Sequence, residues 1–219
     1  MSLSSTDKGL LTPENCALVL IDFQHTLLAC MGDAEREALL VNVLTIAKAA
    51  RIFKLPVILS ALDSGEFSGQ LIPELRELFP HQPVIRRSSM NAWDCPEFVT
   101  AVRKTGLRNV IAAAAWSESS LVFPALQMME EGYYLYLAED ASFGIRPASH
   151  AIAIRRMAQA GAVSLSAVQV LLELQRDWAR SEQAAQVIDV MRAHSRIFTQ
   201  HDSTSPLQKA NPSRQTESV

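Results

Sequence analysis

The chain reads as one α/β domain built on a parallel sheet with helices on both faces, and three observations lead there. Apolar runs of strand length, among them Cys16 to Ile21 (CALVLI), Val57 to Ala61 and Val110 to Ala115, lack polar alternation, as expected of strands buried on both faces. Amphipathic helical stretches separate them, and this alternation favours right-handed crossovers over a three-layer, Rossmann-like sandwich. The length of 219 residues suits one such domain with a large core and is short for two.

Taken in order, residues 1 to 14 are polar and are expected to form an arm laid on the surface, closed by Pro13. The first strand ends at Asp22, which puts that carboxylate at a strand's carboxyl end. No glycine-rich turn follows before Gly32, so neither a dinucleotide fingerprint nor a P-loop is present. Asp33 is expected to cap a helix running to about Lys54, with Leu39, Leu40, Val43, Ile46, Ala47 and Ala50 on its buried side. Leu55-Pro56 stops it. After the second strand, the loop LDSGEFSG has Gly65 and Gly69 for an irregular path over the strand ends.

Leu71 to Phe79 reads as a short helix, and Pro83 to Arg86 as a third strand delivering Arg87 and SSMNAWD to the same edge. Pro96 to Thr105 is helical and closed by Gly106. Tyr133 to Ala138 and Ala162 to Ser166 make strands five and six, with the helix Pro147 to Gln159 between them. Val168 to Arg180 and Ser181 to His194 are two further helices, suited either to an oligomer interface or to a surface layer. The domain spans 15 to 199, and the polar tail 200 to 219 is expected to be flexible or draped over a neighbour.

The formal charge of −3 and the lack of a basic run disfavour nucleic acid as a partner. No signal peptide or spanning segment is evident, so a cytoplasmic protein without membrane contact is expected. Cys16, Cys30 and Cys95 are odd in number and far apart, which suits reduced thiols. Cys16 and Cys30 read as small core residues; Cys95, beside Trp93 and Asp94, is open.

The most informative stretch is Asn109 to Tyr133, NVIAAAAWSESSLVFPALQMMEEGY, a strand, a crossing and a helix. In an open α/β sheet such crossings line the ligand crevice. Pro124 requires the helix to begin within about one turn before it, so Ser120 lies near a helix N-terminus. One of Ser117, Ser119 and Ser120 either caps that helix or faces a ligand. Asp22, Arg87 and Ser120 each fall at a strand end, and together they bring an acid, a cation and a hydroxyl to one edge.

The stretches ALVLIDFQ (17 to 24), RSSMNAWDCPEFVTAV (87 to 102), WSESSLVFPALQMMEEGY (116 to 133), ASHAIAIRRMAQAGA (148 to 162) and VLLELQRDWAR (170 to 180) resemble the isochorismatase-like cysteine hydrolases. The resemblance implies a six-stranded parallel sheet, a small-molecule substrate and homo-oligomers. It implies a catalytic triad of Asp22, Arg87 and the residue at 120, with an oxyanion hole at Ser117 and Ser120 and a cis peptide at Trp116-Ser117. Phe23, Trp93 and Trp116 are candidates for the apolar pocket wall, each alternatively ordinary core, Phe23 above all; Gln24, Asn91 and Ser119 complete the expected pocket. The family's Thr-Glu-x-Cys pattern stands here as Ser117-Glu118-Ser119-Ser120, so the nucleophilic cysteine is a serine. The zinc pair of the nicotinamidase branch has no counterpart, since Ala61 to Gln70 offers Asp63 and Glu66 but no histidine. No metal or cofactor is expected.

A serine needs a general base where a cysteine near a helix N-terminus ionises readily. None of His25, His81, His150, His194 and His201 lies in a motif that marks it for that role, although His25 and His150 follow strand ends. Asp22 serves only if its pKa is raised, and Arg87 is expected to lower it. Two functions follow. One is hydrolysis of a small amide, imide or related C–N bond with Ser120 as a weak nucleophile or a water-positioning group, Asp22 as base and Arg87 as orienter. The other is a pseudoenzyme, an oligomer that binds a small ligand or acts as a scaffold.

Overall fold

In the computed structural model, which describes residues 9–194, six strands form one all-parallel sheet: β1 (Cys16–Ile21), β2 (Val57–Leu62), β3 (Val84–Arg87), β4 (Asn109–Ala114), β5 (Tyr134–Ala138) and β6 (Val163–Leu165). Their order is β3-β2-β1-β4-β5-β6. The chain winds outward one way from β1 and then the other way from β4. The point of reversal therefore lies between β1 and β4, where the two outgoing connections diverge and leave a crevice at the carboxyl ends.

Every residue of β1, β2 and β4 is buried, which explains their unbroken apolar runs. Alternation still operates within them: Leu18 and Leu20 of β1 join one core, while Ala17, Val19 and Ile21 join the other. The first core lies under α2 (Asp33–Ile52), α3 (Pro73–Leu78), α7 (Ala167–Gln175) and α8 (Ser181–Met191). The second lies under α4 (Pro96–Lys104), α5 (Val122–Glu130) and α6 (Pro147–Gln159). A single turn, α1 (His25–Leu28), leads from β1 toward α2. Among the described residues no helix is long and apolar enough to cross a membrane.

Several local expectations are corrected. Gly32 rather than Asp33 is the N-cap of α2; Asp33 is the first helical residue and pairs with Arg36 at 2.5 Å. Of the N-terminal arm, the described part is anchored: Leu11 is fully buried, and its amide donates to Glu173 Oε2 at 2.8 Å. Helix α7 stops at Gln175, not Arg180, because Arg176 turns left-handed at φ 52° and the Gln175 amide group donates to the carbonyls of Asp177 and Arg180. Cys30 is exposed, since it follows the short α1 instead of lying within a helix. Cys16 is core, donates to the Thr12 carbonyl, and has its thiol pushed up to about 12 by burial, which leaves it inert. The tail 200 to 219 lies outside the described residues.

Candidate active site

Asp22 leaves β1 in the left-handed region, φ 64°, a conformation that aspartate tolerates better than most residues. Its amide still donates to Ser60 of β2 while the side chain turns inward at the sheet edge. Arg87 closes β3, in register with Leu62. From there its long side chain crosses the end of β2 and meets the carboxylate with both terminal nitrogens, Nη1 to Oδ1 at 3.0 Å and Nη2 to Oδ2 at 2.6 Å. Ser120 arrives from β4 and donates its hydroxyl to Asp22 Oδ2 at 2.7 Å. Two residues, 65 and 98 positions along the chain from Asp22, thus meet on its one carboxylate.

The group is closed off: Asp22, Ser120 and Arg87 are 0%, 2% and 5% exposed. That burial sets the electrostatics. Desolvation raises the Asp22 carboxyl above its ordinary value, and the opposing pull of Arg87 and the Ser120 hydroxyl does not cancel it. Arg87 does pull the Asp22 pKa down, as expected, but the cost of burying the charge is larger and the net shift is upward. Arg87 Nε is buried with no partner, so the guanidinium retains an unused donor.

The serines do not cap α5. Residues Ser117–Leu121 form one turn of π-helix, with no side-chain cap at its N-terminus, and α5 continues from Val122. Such turns recur where a side chain must be re-aimed at a functional site. No cis peptide occurs among the described residues, so Trp116-Ser117 is trans, contrary to expectation. The reversal is made instead by Trp116 in the left-handed region, φ 64° and ψ 77°, an uncommon conformation for so bulky a residue. This geometry has a further consequence. The Ser117 amide points at the Phe143 carbonyl, 2.8 Å away, and the Ser120 amide closes onto the Trp116 carbonyl at 3.0 Å. Neither is free, so the expected oxyanion hole is not formed in this conformation.

The other expected pocket residues serve the frame. Phe23 is fully buried in the core under α2 and α3. Gln24 is a clamp: its Nε2 donates to the carbonyls of Leu62, Phe67 and Gly69, and its Oε1 accepts from the Leu62 amide at 2.8 Å. Asn91 accepts from the Trp93 amide and donates to Asp94 and Gln127. Trp93 packs edge-on to Phe98 and Tyr133 and donates its indole N–H to Glu131 at 2.8 Å. Ser119 is half-buried and donates its amide to the Trp116 carbonyl. Trp116 stacks edge-on against Phe67 at 5.3 Å, and its indole N–H is buried without a partner.

Two residues that sequence reasoning did not place turn out to hold the turn Ser117–Leu121. His150 Nδ1 lies 2.7 Å from Ser117 Oγ, which also donates to the Phe143 carbonyl at 3.1 Å. Burial lowers the His150 pKa below its ordinary value. Glu118 reaches back to the loop before α6, accepting from the Ile145 amide at 2.9 Å and from Ser149. A Cβ on Gly144 would stand 2.6 Å from its Oε1, so glycine is what lets the carboxylate approach. The available signal was His150 in the first turn of the helix after the fifth strand, on the same sheet edge as Ser117. Among the described residues no group of three or more His, Cys, Asp or Glu is placed to hold a metal ion.

Comparison with known proteins gives the family and agrees with the fold. The isochorismatase domain matches residues 16–169. The chain is 37% identical over 169 residues to the probable hydrolase YcaC of Escherichia coli (strain K12), covering 77% of this chain and 81% of that protein. The crystal structure of the Escherichia coli YcaC gene product, an octameric hydrolase of unknown specificity, superposes with a TM-score of 0.81 at 35% identity, covering 87% of this chain and 93% of that one. YcaC from Pseudomonas aeruginosa, solved with hexane-2,5-diol and covalent acrylamide, superposes with a TM-score of 0.80 at 32% identity, covering 90% and 96%. By sequence and fold together, this chain is a member of the isochorismatase family.

Proposed function

We propose that the protein is a hydrolase of small amide or imide C–N bonds that uses Ser120 as its nucleophile. The observation that carries this reading is the hydrogen bond from Ser120 Oγ to an Asp22 carboxylate that Arg87 grips from its other side. That is a nucleophile, a base and an orienter in series. Burial supports the assignment, since a carboxyl raised above its usual value is a better base than an exposed one.

In the proposed reaction Ser120 Oγ bonds to the substrate carbonyl carbon as its proton passes to Asp22. The C–N bond then breaks, and the departing nitrogen takes the proton from Asp22. Water, deprotonated by the same carboxylate, releases the acid and restores the hydroxyl. Arg87 stays charged throughout and fixes the carboxylate. A buried and largely neutral site favours small uncharged substrates. The octameric Escherichia coli relative, together with exposed Phe123 and Ile152 on the packed pair α5 and α6, supports a homo-oligomer here as well.

One observation favours the second reading, a silent pocket for ligand binding. The Ser117 and Ser120 amides are both spent on carbonyls, so acyl transfer requires the turn to open. The test is product release from a panel of small amides and imides, followed as free amine, for the wild type and Ser120→Ala. Hydrolysis that disappears in the variant supports the enzyme; hydrolysis equal in both removes Ser120 from the mechanism.

A further inference from the structure

We infer that the cleft between α2 and the loop preceding α6 is a second small-ligand site, and that it takes a primary ammonium carried on an apolar body. The cleft has a volume of about 350 Å³, and none of Asp22, Arg87 and Ser120 lines it. It is a built cavity of the size that encloses a ligand of a few to a dozen heavy atoms.

Its chemistry is one-sided. Met31, Leu39, Phe143 and Ile145 make an apolar wall, with Leu39 and Phe143 themselves in the core. The ionisable lining comprises the carboxylates of Glu35 and Asp140 together with His150 and Cys30, and among the described residues no lysine or arginine lines the cleft. Asp140 is held in place: Oδ1 accepts from the Ala167 amide at 2.7 Å and its carbonyl accepts from Asn42 at 2.9 Å. An anion would meet two like charges here, whereas an ammonium finds acceptors for its protons and an apolar wall for its tail.

The cleft also adjoins the nucleophile turn from its far side. His150 lines it and holds Ser117 through Nδ1, while Ser120 of the same turn points at Asp22. The site stands on the cavity and its charge pattern, and it does not require Ser120 to be catalytic.

Cys30 is a built-in reporter, because it lines the cleft and is exposed, whereas Cys16 and Cys95 are buried. The experiment measures the rate of Cys30 modification of the full chain by methyl methanethiolsulfonate, by intact mass, with hexylamine, hexanoate or hexane-2,5-diol present. Hexylamine at about ten times its dissociation constant is expected to slow modification about tenfold, as mass action requires, and hexanoate to leave it unchanged. Asp140→Asn should lose that protection. Ala38→Trp, at an exposed position on the cleft wall, should lose it by filling the space, with an unchanged melting curve as the control for folding. No protection by hexylamine at any concentration, or equal protection by hexanoate, overturns the inference, as does protection that survives Ala38→Trp.

Discussion

Asp22 and Ser120 share a 2.7 Å hydrogen bond across the point where the strand order reverses, one leaving β1 and the other following β4. Adjacent strands pair Ile21 with Ala114, so the residues that follow them are brought to the same edge by the register of the sheet. Arg87, from β3, completes the arrangement only because its side chain is long enough to cross β2.

Removing one partner of this buried ion pair leaves an uncompensated charge. Arg87→Met is expected to destabilise the fold by about 3–5 kcal/mol, read as a shift in the urea midpoint. The double variant Arg87→Met with Asp22→Asn should cost less than the single one, because no charge is then left without its partner.

Gln24 was expected in the pocket and instead ties the loop after β2 to the end of β1 through four hydrogen bonds. Gln24→Ala leaves the buried Leu62 amide and carbonyl without this partner and releases the Phe67 and Gly69 carbonyls of the loop, and should cost about 2–4 kcal/mol. Limited proteolysis within residues 63 to 70 should quicken more than at other loops.

His150 makes stability depend on pH. The unfolded chain takes up a proton near the ordinary value of 6.5, while the folded chain resists it because the ring is buried. The contribution is complete above pH 6.5 and is lost as the pH falls through 6.5 toward the lower folded value. The urea midpoint of the wild type is expected to fall between pH 7.5 and pH 5.5, and His150→Gln should flatten that part of the slope.

Gly144 lies against the Glu118 carboxylate. Gly144→Ala must push it off the Ile145 amide and Ser149, with an expected cost of about 1–2 kcal/mol in a thermal melt. Labelling of the Ser120→Cys thiol should also slow in this background, since the same contact braces the turn.

Strand positions, the parallel sheet and the convergence of Asp22, Arg87 and Ser120 were legible because they follow from local pattern and from crossover rules, whereas the strand order was not read. Apolar runs without alternation mark buried strands, and a residue just past such a run lies at the ligand edge. What was not legible depends on single backbone angles and long-range partners. The left-handed turn at Trp116 decides where the Ser117 amide points, and nothing in WSESS distinguishes that turn from a cis peptide. Gln24, Asn91 and Trp93 neighbour the strand ends in sequence, yet their partners, from Gly69 to Glu131, lie across the fold and occupy them structurally. His150 sits beside Ser117 only because Phe143 forms a bridge beyond β4, pairing with Ala115. Asp22 shows the same limit in its electrostatics: the neighbouring cation can be read from the sequence, whereas the extent of burial cannot.

The central claim is that Ser120, held by Asp22, is a nucleophile. Intact-protein mass spectrometry after incubation with small acylating amide and imide probes, and with acrylamide, tests it for the wild type, Asp22→Asn and Ser120→Cys. One acyl group per chain is expected on wild-type Ser120, lost in Asp22→Asn, with rapid acrylamide addition to the introduced thiol. An unlabelled wild type beside a rapidly labelled Ser120→Cys would contradict it and leave a ligand-binding pocket in which serine has silenced the chemistry.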